Sequence, residues 1–359
     1  MQGAISHGPY CDAWCTRVEC LFKRSRFHTE GESNRVIVSV RHGLERVSRA
    51  MRRLFRPLPE IRPAILETED PSLYVRGDTA GAGPLEYPAG PSLPLHARLT
   101  SCLCTAELLD SDVFRYWIAE LHEPWRFHRK LWEFGYVCQA LYERGLLAPD
   151  KRGLGFAVGQ EPLPSYFAAH GCEIVATDLD STDTRAHGWA ESGEWASTID
   201  VLNRRGLCDP ALFRQRVSFR PVDMNHIPPD LRGFDFTWSS CSFEHCGSIE
   251  LGKQFLLRQM DCLKPGGVAV HTTEFNLTSN TSTATRGRTV LFRRLDIEDM
   301  VRRLRADGHS VEPLDLSVGT HPLDWFVDQR PYSADRHLRK RHGRYAATSI
   351  GLVIRKGSR

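Results

Sequence analysis

Residues 151–180 read KRGLGFAVGQEPLPSYFAAHGCEIVATDLD. Two short apolar runs, Gly153 to Val158 and Glu173 to Thr177, flank a stretch in which Pro162 suits the first turn of a helix. The same texture returns downstream, with apolar runs at Val217 to Val222, Phe234 to Ser239 and Val268 to Thr272 separated by helical stretches. Strands alternating with helices predict a parallel sheet covered by helices on both faces. A helix over Asp296 to Asp307, ended by Gly308, a strand near Ser310 to Leu314 and a last apolar run at Thr348 to Ile354 bring the expected sheet to seven strands.

Upstream the pattern changes. Asp110 or Ser111 can cap a helix running to Glu120, and Pro124 can open the next one. In that second helix Phe127, Leu131, Phe134, Cys138 and Leu141 recur at three-to-four spacing, and Gly145 stands where it would end. Residues 57 to 95 carry repeated Pro and Gly and read as a linker, while residues 1 to about 60 lack steady periodicity. The expected organisation is a flexible or irregular region over 1–95, a helical extension or lid over 96–149, and an α/β domain over 150–359. There are no internal repeats.

Composition narrows the class without naming it. The chain has 359 residues, 41% hydrophobic and 25% charged, which fits a soluble globular protein. The formal charge of +3 is too small to argue for nucleic acid. Arginines crowd residues 17 to 56, which reads as a poorly ordered tail, with a basic arm that touches polyanions or a membrane surface as the alternative. Eleven Cys with no apolar leader disfavour a secreted disulfide framework and point to reduced thiols and a cytoplasmic location. Cys11, Cys15 and Cys20, or Cys102 with Cys104, lack the paired knuckles of a zinc site, so no metal is expected. No apolar run approaches the ~20 residues needed to span a bilayer.

In open α/β sheets ligands bind beyond the carboxyl ends of the strands. The first such end holds Gly155, Ala157 and Gly159 at alternate positions, small residues that let backbone approach a ligand, followed by Glu161. The second delivers Asp178, nineteen positions after Gly159 and near the ~20 expected of an acid that binds ribose hydroxyls. The third places Asp223 and Met224 where a carboxylate can accept from an adenine amine and a thioether can pack on the ring. Glu161 bears on the choice of nucleotide. A diphosphate at this helix start would be repelled by a carboxylate, whereas the ammonium and sulfonium of S-adenosylmethionine would be favoured. Gly153, Gly155 and Gly159 also miss the G-x-G-x-x-G spacing of a dinucleotide fold.

Two further stretches carry a family resemblance. Residues 234–245, FDFTWSSCSFEH, and residues 263–270, LKPGGVAV, resemble the fourth strand and the turn into the fifth strand of class I S-adenosylmethionine-dependent methyltransferases. The similarity covers roughly residues 150 to 275. It implies a Rossmann-like methyltransferase domain in which Gly155 to Glu161 surround the methionine part of the cofactor, Asp178 with Leu179 binds ribose, Asp223 with Met224 holds adenine, and Ser240 borders the methionine part. The family pattern of an acid followed by three alternating glycines is degenerate here, since the corresponding positions hold Gly155, Ala157, Gly159 and Glu161.

Methyl transfer needs alignment and, for a hydroxyl acceptor, a base. His245 is the candidate base, with Glu244 to orient it or cap the next helix, and the alternative is a His that only lines the pocket. His271 and Glu274 form a competing pair at the end of the fifth strand. Asn276 to Thr285, rich in hydroxyls and amides, suits a sugar or another polar acceptor and equally suits a solvated loop. The D/N-P-P-Y/F motif of amino-methylating DNA enzymes is not present, so no nucleic-acid partner is expected. The leading expectation is methylation of a small polar acceptor, in the first instance an oxygen of a saccharide or glycan precursor. A catalytically silent cofactor-binding scaffold and an NAD-dependent oxidoreductase are the alternatives.

Overall fold

Strand β1, Arg152–Gly155, lies at the middle of the sheet because two of its four residues have no side chain. A Cβ on Gly153 would stand 2.4 Å from the Phe236 ring, and one on Gly155 would stand 2.4 Å from the Trp238 indole. Both rings belong to β4, Phe234–Ser240, which pairs with β1 in parallel. The remaining strands are β2, Glu173–Asp178, β3, Val217–Pro221, β5, Leu263–Asn276, β6, Ser310–Val311, β7, Val327–Asp328, β8, Arg339–His342, and β9, Tyr345–Arg355. The computed structural model describes residues 71–74, 98–180, 182, 183, 185, 195 and 198–358.

The strands lie in the order β7-β8-β9-β5-β4-β1-β2-β3, with β6 pairing to β9. Strands β1 to β5 are parallel to one another, and β9 runs antiparallel to β5, β6 and β8. This is a Rossmann-like α/β fold with a mostly parallel sheet, as the sequence predicts. All seven expected strands are present. Two short ones, β7 and β8, extend the edge, and a basic sequence without apolar alternation gave no sign of them.

Register decides where that extension sits. The last β4–β5 pair is Ser240 with Thr272, yet β5 runs on through Asn276 against Ile350 to Ala347 of β9. Lys340 of β8 pairs with Ala347, and Asp328 of β7 with Lys340. The ends of β5, β9, β8 and β7 therefore form a wall that rises past the carboxyl end of β4.

Helices α1, Ala106–Asp110, α2, Asp112–Glu120, and α3, Arg129–Tyr142, precede the sheet. Ser111 caps α2 as expected, accepting from the Phe114 amide at 3.4 Å. Pro124 does not open α3. Phe127 and His128 instead pair with Arg336 and His337, so the helix starts at Arg129 with the His128 ring accepting from the Lys130 amide. Every residue of α3 from Leu131 to Leu141 is buried, a wider face than the five-residue stripe predicts. Gly145, at φ 65°, ends the turn beyond it in the left-handed region. Helices α4, Leu163–Ala169, α5, Pro210–Arg216, α6, Ile249–Arg258, and α7, Arg294–Ala306, complete the layers.

The basic stretch at 17–56, Cys11, Cys15 and Cys20, and all of the 57–95 linker except 71–74 lie outside the described residues. Among the described residues, no helix is long and apolar enough to cross a membrane, and no group of three His, Cys, Asp or Glu is placed to hold a metal.

Gly155→Ala should lower stability by about 1–3 kcal/mol, the usual cost of forcing atoms into a packed core, because the new methyl meets Trp238 and Val158. Urea unfolding measures it, and a midpoint equal to the parent's would show that β1 can shift to accept a side chain.

Candidate functional site

The order of strands reverses between β1, which continues to β2, and β4 on its other side, so the loops after β1 and β4 face one crevice. The first loop is strapped down. Phe156 donates to the Trp238 carbonyl at 2.9 Å, Val158 to the Thr177 carbonyl at 3.0 Å, and the Thr177 hydroxyl to the Gly155 carbonyl at 2.8 Å. Ala157 and Gly159 sit at φ 47° and 52°, the left-handed region that a side chain makes costly for Ala157. Gly155 itself is explained by packing, since the space its side chain would take holds Trp238.

Glu161 closes this loop. Its carboxylate is buried and accepts from the Trp238 indole N–H at 2.6 Å. Burial pushes its pKa up to about 7, against which the Trp238 hydrogen bond and the more distant Lys130 cation act only in part. Near neutral pH the group is poised between its two forms, rather than holding the fixed negative charge that the sequence alone suggests.

Asp178 and Asp223 occupy the ends of β2 and β3. The buried Asp178 carboxylate accepts from the amides of Gly159, at 3.0 Å, and Leu179, at 2.8 Å, which ties the β2 end to the glycine loop. Asp223 accepts from Arg185 at 2.9 Å and from the Asn225 amide at 2.9 Å. These bonds outweigh partial burial and hold its carboxyl below the usual range. Met224 is buried in the core beside it. The first loop, Asp178 and Asp223 thus stand in a row along one sheet edge.

Across the crevice lies a second set. Cys241, at φ 50°, turns the chain sharply after Ser240 and is pinned by the Thr272 carbonyl and hydroxyl. Glu244 is fully buried and accepts from the Thr273 hydroxyl at 2.9 Å. Burial, reinforced by the neighbouring Glu274, pushes its pKa well above the usual carboxylate range and favours the protonated form. His245 donates from Nδ1 to the Arg288 carbonyl at 2.8 Å, and because a carbonyl can only accept, this fixes the tautomer with its lone pair on Nε2. Nε2 lies 3.8 Å from Glu244 Oε1. Burial lowers the His245 pKa to about 4, so the ring is neutral over the physiological range.

Three charged residues of α3 reach this region, and the sequence did not point to them. Glu133, fully buried, is bridged by Arg129 and Lys130, each at 2.9 Å. Those two cations outweigh burial and hold its pKa down at about 2. Arg129 also donates to Glu274, which Lys340 of β8 engages from the other side, and Lys130 donates to the Ser240 carbonyl at 2.8 Å. A legible signal existed for Glu133 alone, as a charge on an otherwise apolar helix face. His271 does not join the site. It lies fully buried against Phe243 and Phe255 with Ser239 as its partner at 2.8 Å, and burial lowers its pKa to about 3. The polar loop from Asn276 bonds largely to itself, the Asn276 side chain serving Thr278, Ser279, Ser282 and Thr283.

No protein-family model and no curated protein matches the chain. Solved structures of methyltransferases resemble it. The 1,6-didemethyltoxoflavin-N1-methyltransferase of Burkholderia thailandensis, with 1,6-didemethyltoxoflavin and S-adenosylhomocysteine bound, is 16% identical over 70% of this chain and 81% of its own, with a TM-score of 0.34. The glycopeptide N-methyltransferase MtfA is 16% identical over 57% and 88%, with a TM-score of 0.34. An S-adenosylmethionine-dependent methyltransferase from Mesorhizobium loti is 12% identical over 59% and 93%, with a TM-score of 0.33.

Glu161 makes stability depend on pH. Its folded pKa is raised, so the native chain keeps a proton that the unfolded chain releases, and stability falls as pH rises toward about 7. Glu161→Gln still accepts from Trp238 but cannot ionise. Its advantage in thermal unfolding should grow from pH 5 to pH 8, reaching about 3 kcal/mol at most by linkage. A difference constant with pH would show that Glu161 is not poised in this way.

Proposed function

We propose that the chain is an S-adenosylmethionine-dependent methyltransferase acting on an oxygen of a small polar acceptor of the saccharide or glycan-precursor class. The observation that carries this reading is the row formed by the Gly155–Glu161 loop, Asp178 and Asp223 along three adjacent strand ends, with a tautomer-fixed imidazole across the crevice. The donor set fits the cofactor. Two carboxylates suit a ribose diol and an exocyclic amine, Met224 and Leu179 supply apolar contact, and Glu161 disfavours a diphosphate in the place of an ammonium. Ser240 borders the methionine end. Bound S-adenosylmethionine supplies an electrophilic methyl group on a sulfonium.

The residues of the chain then align and deprotonate. His245 Nε2 takes the proton of the acceptor hydroxyl as the oxygen becomes a nucleophile. The resulting imidazolium keeps its Nδ1–H on the Arg288 carbonyl and is stabilised by the nearby carboxylate of Glu274. The raised pKa of Glu244 disfavours a second negative charge beside Glu274. Helix α3 covers the strand ends with Arg129 and Lys130 and serves as the lid that limits water at the crevice.

Isothermal titration of the full chain with S-adenosylmethionine, S-adenosylhomocysteine and NADH should show micromolar binding of the two sulfur nucleotides and none of NADH. Asp178→Ala should abolish it. An ammonium next to Glu161 favours its ionised form, so binding at pH 7 should release protons, and Glu161→Gln should bind more weakly without that release. NADH binding in place of the sulfur nucleotides would promote an oxidoreductase, and cofactor binding without turnover over a broad acceptor panel would promote a silent scaffold.

His245→Ala should lower kcat about 100-fold, within the range of general bases, with cofactor affinity unchanged. The acid limb of kcat/KM in the parent should fall near pH 4 to 5, well below the range of an exposed imidazole. Undiminished turnover in the variant would reassign the proton to another acceptor.

A further inference from the structure

The wall formed by β5, β9, β8 and β7 carries features that methyl transfer alone leaves unused. Among the described residues four large apolar side chains are exposed, and three of them, Trp325 at 44%, Phe326 at 39% and Tyr332 at 39%, fall within eight residues around β7. Cations lie on two of these rings. Arg336 stands 5.2 Å over Phe326 and Arg330 5.6 Å over Tyr332. From Gln329 to Tyr345 the chain bears six Lys or Arg against the single acid Asp335; Arg339 and Lys340 are paired with Asp324 and Glu274, and the other four are Arg330, Arg336, Arg341 and Arg344. The nearby acids Asp328 and Asp324 are buried and engaged, the first by His337 at 2.7 Å and the second by Arg339 at 3.1 Å. They do not balance the exposed arginines.

Exposed apolar side chains that cluster rather than scatter singly mark interaction surfaces. β7 and β8 belong to the same sheet edge as the candidate site, because Asp328, Lys340 and Ala347 are paired in one row with Asn276 of β5, and Lys340 reaches Glu274. An extended ligand that follows this row leads from β7 toward the Glu274 side of the crevice. Sugar rings present C–H faces that pack on aromatic side chains, and guanidinium forks match carboxylate, phosphate or sulfate groups.

We propose that Trp325, Phe326 and Tyr332, with Arg330 and Arg336, form a subsite for the distal part of an anionic saccharide whose reacting hydroxyl lies at His245. The proposal rests on the methyltransferase reading for that last clause only; the subsite can be tested by binding without turnover.

A heparin-derived hexasaccharide, uncharged maltohexaose and a thymidine hexanucleotide are titrated into the full chain, with and without saturating S-adenosylhomocysteine, following tryptophan fluorescence and calorimetry. The sulfated saccharide should bind, with maltohexaose and the oligonucleotide each at least about tenfold weaker. The double variant R330A/R336A should lose about tenfold and Trp325→Ala about fivefold, in the range expected for charge-assisted and ring contacts, with melting temperature and S-adenosylhomocysteine affinity as in the parent. Binding unchanged in both variants, or no binding at all, overturns the subsite. Oligonucleotide affinity equal to or above that of the sulfated saccharide overturns the saccharide class in favour of nucleic acid, and equal affinity for maltohexaose overturns the role of charge. Cofactor affinity is read separately in every titration, so failure of the methyltransferase reading is distinguishable from failure of this one.

Discussion

A single buried carboxylate, Glu133, sets the relation between α3 and the sheet. It has no access to water and is held by Arg129, Lys130 and the Ser349 hydroxyl at 2.6 Å. An ion pair of this kind adds little net stability over an apolar substitute, because desolvation offsets the attraction. Losing one partner is another matter, since it leaves a charge stranded in the core. The network therefore acts on specificity. It ties the helix to the ends of β4, β5 and β9, and through Arg129 and Lys130 it brings cations to Glu274 and to the Ser240 carbonyl. The charged groups across the crevice from the glycine loop meet through that contact.

The two sides of the crevice are built by different means. On the side of the Gly155–Glu161 loop, backbone hydrogen bonds and left-handed residues shape a loop with few side chains in it. On the opposite side the geometry comes from long side chains that meet across several strands and a helix.

This division explains what the sequence reveals. The strands and the acids after them follow local rules, apolar runs ended by Gly, Asp or Pro, so Asp178, Asp223 and the loop at Gly155 to Glu161 could be placed from the chain alone. Gly155 was read as room for a ligand, whereas Trp238, distant in sequence, fills that room. His245 and Glu244 entered the reading as candidates because they lie just past a strand end. Arg129, Lys130 and Lys340 were not, because their meeting with Glu274 depends on the packing of α3 and on strands too short and too basic to show a period. The start of α3 was misplaced for a similar reason, since a two-residue ladder with Arg336 and His337 overrides the helix signal of Pro124.

Cys241 adds a chemical consequence. Its sulfur stands at the carboxyl end of β4, within 3.4 Å of the Ser349 hydroxyl and of Arg129. Burial, helped by Glu133 and Glu244, raises its pKa well above that of an exposed thiol. Thiolates, not thiols, are the nucleophilic form of cysteine, so burial here keeps Cys241 in its less reactive state. If the crevice holds an alkylating cofactor as proposed, a thiolate at this place would compete with an alcohol for the methyl group, and the low-dielectric surroundings that raise the pKa of both Cys241 and Glu244 would suppress that competition.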